Sequence, residues 1–148
     1  MLNIEQEASE VLLNAAHPLV INNVSMLHPT VSPLEYATSP FDRVCVQLPE
    51  PMQGECTLEF TFQSSITHNR EGCYTTFNSE GDGMVTTQFE PIYARKALPC
   101  FDEPAFKSVF KLQVTVHTDF SVVSNMPCNA KSVGAGLTTY SFQDSPLL

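Results

Sequence analysis

Basic residues are scarce in this chain. Seven lysines and arginines stand against 16 aspartates and glutamates, for a net charge of −9. A nucleic-acid interface needs a cationic face, so that class of partner is excluded. Arg95, Lys96, Lys107 and Lys111 are four of the seven bases, which leaves the rest of the surface acidic. Such acidity serves solubility, and it also attracts cationic peptide termini. Charged residues of both signs are few, 16% against 43% hydrophobic, so the composition is that of a folded chain with a real core. No run approaches the ~18 apolar residues of a membrane-spanning helix. The first seven residues hold neither the basic nor the apolar region of a signal peptide. A cytoplasmic location is therefore expected, and the sequon Asn23-Val24-Ser25 is read as silent.

Paired cysteines and clustered histidines are missing as well. Cys45, Cys56, Cys73, Cys100 and Cys128 are five in number and form no C-x-x-C, which excludes a zinc ribbon or a thioredoxin-like site. An odd, dispersed set fits reduced and mostly buried thiols. His17, His28, His68 and His117 lie too far apart for metal-ligand spacing, and H-E-x-x-H is not found. Neither a G-x-S-x-G elbow nor a phosphate-binding glycine loop occurs. No hydrolytic, phosphoryl-transfer or metal machinery is legible in these residues, and no cofactor is expected in this segment.

Long helical periodicity is also lacking. Period-2 alternation appears instead, with Val44, Val46 and Leu48 in the 43–48 run and Leu58, Phe60 and Phe62 in the 57–63 run. Phe110, Leu112, Val114 and Val116 alternate through 109–116. Strands are further expected over 19–27, 120–123 and 137–142. Turns are predicted at 49–54, 78–83 and 134–136 from their Pro, Gly and Asn content. Residues 28–40, with Pro29, Pro33 and Pro40, read as a loop or an edge strand. At most one helical turn is expected, at 104–108. Many short strands with Gly and Pro turns predict an all-β fold, an antiparallel β-sandwich. At 148 residues the chain has the size of one domain, 1–148.

One stretch breaks the alternation. From Thr87 to Lys107 it sets Pro91, Pro99 and Pro104 among six charged side chains, so no long regular element can pass through. Arg95 precedes Asp102 and Glu103 by seven and eight residues, which predicts an internal salt bridge holding the loop. Cys100 has apolar or acidic neighbours, so nothing local favours a thiolate. On an extended segment Gln88 and Glu90 share a side, with Phe89 turned inward. A carboxylate there suits a protonated peptide α-amine, since charge-assisted bonds are the stronger kind. On sequence chemistry alone, capping of the turn at Pro91 is the simpler role for Glu90.

These residues meet every fixed position of T-Q-F-E-A/P-x-x-A-R-x-A-x-P-C-F/W-D-E-P-A-x-K. On that pattern the chain resembles the N-terminal domain of zinc aminopeptidases of the aminopeptidase N and puromycin-sensitive type. Gly72-Cys73-Tyr74 and Ser124-Asn125-Met126-Pro127 are similar to further family segments, the latter read as a turn. Ile92-Tyr93 departs from the family, and Lys96 stands where Arg is frequent. The resemblance implies a saddle-like β-sandwich that lacks its first strands. It implies that Gln88 and Glu90 bind the substrate's free N-terminus at the cleft edge, while Arg95, Asp102, Glu103 and Pro104 form a structural signature. It implies a parent enzyme that removes N-terminal residues from peptides with zinc, held by groups outside this segment. The partners expected are peptide N-termini and the catalytic domain of the same enzyme. An open sheet edge or exposed apolar face would favour self-association. The alternative is a free-standing β-sandwich interaction module without enzymatic activity.

Overall fold

The computed structural model describes residues 2–148 and is almost entirely antiparallel β. It divides into two compact units, Met1–Glu103 and Pro104–Leu148.

The first unit is built on β1 (Leu2–Asn14), β2 (Val20–His28), β3 (Ser32–Pro33), β4 (Tyr36–Ser39) and the long β5 (Arg43–Gln63). These form one sheet in the order β1-β5-β2-β3, with β4 also paired to β5. The alternation read in the sequence sets the buried face. Val44, Val46 and Leu48 of β5 are buried with Val11 and Leu13 of β1, Ile21 and Val24 of β2, and Leu19. Each such side chain contributes roughly 1.5–3 kcal/mol on burial.

The turn expected at 49–54 is not there: β5 runs through it as one strand. The reason lies in the register with β1. Ala8 pairs with Met52 and Glu10 with Gln47, with an irregularity between them. Pro49 and Pro51 fall in that bulge, where no N–H is required of them. Residues 28–40 supply β3 and β4, short strands that pair with β2 and β5.

A hairpin of β6 (Gly72–Phe77) and β7 (Gly83–Gln88) completes the sheet structure of this unit. Its turn is where the sequence put it. The Asn78 side-chain carbonyl accepts from the Glu80 and Asp82 N–H groups at 2.9 and 2.8 Å.

The second unit holds β8 (Gln113–His117), β9 (Cys128–Gly134) and β10 (Leu137–Phe142) in the order β8-β10-β9. Ala135 (φ 51°) and Gly136 (φ 77°) make the β9–β10 turn, the left-handed pair that tight hairpins favour. The strand expected over 109–116 is regular only from Gln113. Residues 108–112 still pair with the chain end: Ser108 and Leu148 exchange backbone bonds, and Ser145 N–H donates to Phe110 O at 3.0 Å. Residues 120–123 are not a strand. Phe120 N–H closes a turn onto His117 O at 2.9 Å, and Phe120 and Val123 are exposed. Pro104 and Ala105 form a turn with no helix, and the bend at Asn125 and Met126 leads into β9.

Candidate functional site at the end of the hairpin

Strand β7 delivers Gln88, and regular structure stops there. Gln88 pairs with Gly72, the first residue of β6. The chain then turns. The Glu90–Pro91 peptide is cis, and Tyr93 N–H donates to Phe89 O at 2.7 Å. A 3-10 turn, Ala94–Lys96, follows, and the prolines allow nothing longer. Gln88 and Glu90 are both exposed. The Gln88 amide donates to the Glu90 backbone carbonyl at 3.2 Å, which leaves the Glu90 carboxylate out of that bond. The expectation that Phe89 turns inward on an extended segment is corrected: Phe89 lies in the turn and is 38% exposed.

Behind the turn the stretch is fastened to the sheet. Asn14, the last residue of β1, exchanges backbone bonds with Cys100 at 2.8 and 3.0 Å. Ala16 N–H donates to Arg95 O at 2.9 Å. The Arg95 guanidinium meets Asp102 Oδ2 at 2.7 Å, with both side chains largely buried. Glu103 and Pro104 are exposed. Burial, reinforced by Asp102, pushes the Cys100 thiol up to about 12, so this sulfur is a packed, protonated group and not a nucleophile.

One residue at this site had no signal of its own in the sequence. Glu71 forms an ion pair with Lys96, and this bond holds the Glu71 carboxyl below the usual range. A separation of 25 residues follows no local periodicity. The neighbouring Gly72-Cys73-Tyr74 was the closest available pointer.

No group of three or more His, Cys, Asp or Glu side chains among the described residues is arranged to hold a metal ion. The residues present therefore do not fit a zinc site. Among the described residues no helix is long and apolar enough to cross a membrane.

The antiparallel strands define an all-β class of domain. The fold matches a two-domain M1 zinc metallopeptidase mutant bound to L-arginine with a TM-score of 0.76, at 21% identity, over 93% of this chain and 31% of that one. A mutant from Deinococcus radiodurans bound to a Tyr-Ser-Ala substrate gives the same TM-score of 0.76. Aminopeptidase M1-C of Oryza sativa subsp. japonica is 32% identical over 146 residues, which is 93% of this chain and 16% of that protein. Aminopeptidase M1 of Arabidopsis thaliana is 38% identical over 98 residues, covering 64% of this chain and 11% of that protein. The model of the peptidase M1 N-terminal domain matches residues 1–148, and the chain belongs to that family. It spans no more than about a sixth of the length of these relatives.

Proposed function

We propose that this chain is a single N-terminal domain of a zinc aminopeptidase, and that it supplies the contacts for the substrate's free N-terminus. The Glu90 carboxylate accepts from the protonated α-amine of a peptide, and the Gln88 amide borders the same spot. The observation that carries this reading is the exposure of both side chains in a turn whose flanks are fixed by Asn14–Cys100 and Arg95–Asp102. An ion held at a preformed site costs less ordering than one held on a free loop. The relatives' names as aminopeptidases support the same use.

Zinc and the hydrolytic step belong to groups outside these residues, and the catalytic domain of the parent enzyme is the domain's partner. The net charge of −9 favours approach of a cationic terminus. A cytoplasmic location agrees with five free thiols. Self-association through exposed apolar side chains such as Phe106, Phe110 and Val123 is part of this reading for the separate chain.

The test is a titration of the chain with trialanine and with N-acetyl-trialanine, followed by amide NMR. The free-amine peptide is expected to move the Gln88–Glu90 signals, and the acetylated one to leave them in place. Equal responses to the two peptides would overturn the reading.

A further inference from the structure

We propose that the Glu71–Lys96 ion pair straps residues 89–98 across the start of β6 and so fixes where the Glu90 carboxylate stands. The inference rests on the peptide-binding reading of Glu90 and assigns Glu71 and Lys96 as positioning residues for it.

Topology sets the pair in place. Gly72 and Gln88 are partners at the open end of the hairpin, so Glu71 lies opposite the point where the chain leaves β7 for Glu90. Six residues beyond Glu90, Lys96 returns to this end. Its ammonium bonds the Glu71 carboxylate and lies 5.3 Å from the centre of the Tyr93 ring. Its backbone is held twice, by Ser64 Oγ donating to Lys96 O at 2.8 Å and by Lys96 N–H donating to Tyr93 O at 3.1 Å. Asn69 adds a second donor to Glu71 Oε2 at 3.1 Å.

The crossing is close. Gly72 has φ +67°, and a Cβ there would stand 2.8 Å from Lys96 Cβ and 3.3 Å from Tyr93 O. Only glycine permits both the conformation and the contact. The ion pair is only 26% and 28% exposed, so solvent screens it less than a free surface pair. A carboxylate placed merely for solubility would not gather donors from two other residues beneath a backbone crossing.

Glu71→Gln and Lys96→Met each remove the charge pair, and Lys96→Arg keeps it. Hydrogen exchange of the Tyr93 and Lys96 amides reads the turn directly. Trialanine affinity reads its consequence. In Glu71→Gln and Lys96→Met both amides are expected to exchange about fivefold faster, the upper range for a partly exposed pair, while the β1–β5 ladder is unchanged. Trialanine binding falls by a similar factor, and Lys96→Arg restores both readouts. Unchanged exchange at Tyr93 and Lys96 in both charge-removing variants would overturn the strap. So would full peptide affinity in a variant whose turn has loosened. Failure of the Glu90 reading is a separate result: the unsubstituted chain would not distinguish trialanine from its acetylated form, and the exchange rates would then decide the strap alone.

Discussion

At the scale of single residues, the signature stretch owes its order to a few polar pairs. Arg95 and Asp102 are 14% and 10% exposed, so removing one partner strands the other in a largely desolvated place. Asp102→Ala is expected to destabilise the chain by about 3 kcal/mol, measured by urea unfolding. A change within the ±0.5 kcal/mol usual for surface positions would show that the pair is idle. Glu71 adds a pH dependence. Its folded pKa is lowered by Lys96, so its stabilisation is complete above the ordinary glutamate range and fades as pH falls through the lowered value. Glu71→Gln should therefore flatten the acid limb of the stability curve; an unchanged acid limb would contradict this. Thiol chemistry separates the cysteines. Cys128 is exposed, whereas Cys56 is buried and Cys100 is held protonated. Iodoacetamide at pH 8 should label Cys128 first, and early labelling of Cys100 would contradict its burial.

At the scale of elements, the alternation in 43–48 was legible because one face of β5 is buried there and the other wet, whereas in 57–63 Leu58 and Phe60 are only half-buried and Phe62 is exposed. The continuity of β5 was not. Two prolines and a glycine read as a turn, yet the prolines occupy a bulge opposite β1, and that partner is distant in sequence. Strand β1 itself was missed, since its early residues are mostly polar, with Leu2 and Ile4 only partly buried against the core that Val11 and Leu13 enter. Its alternation makes a sharp test. Leu13 is 5% exposed and the adjacent Leu12 is 47% exposed. Leu13→Ala should cost about 2–5 kcal/mol, and Leu12→Ala well under 1 kcal/mol. Equal losses in denaturant unfolding would mean that β1 is registered otherwise. Residues 120–123 show the converse limit: apolar alternation without a strand to pair with leaves the side chains in solvent.

At the scale of the whole molecule, the first unit holds a five-stranded sheet and a two-stranded hairpin, the second a three-stranded sheet, and one family model runs through both. The family was legible because its signature is a contiguous run, from Thr87 to Lys107. The geometry of the site was less so, because it depends on Asn14, Glu71 and Gly72, which approach that run only in the fold. The purified chain is expected to take up no stoichiometric zinc, and metal analysis after dialysis against zinc would contradict this with a ratio near one. The most direct test of the central claim is the steady-state kinetics of the proposed parent aminopeptidase bearing Glu90→Gln. Loss of a charge-assisted bond to the substrate amine should raise KM about 10- to 100-fold, as expected for ~1.5–3 kcal/mol, with kcat much less affected. A KM equal to that of the parent enzyme would mean that Glu90 does not bind the peptide N-terminus.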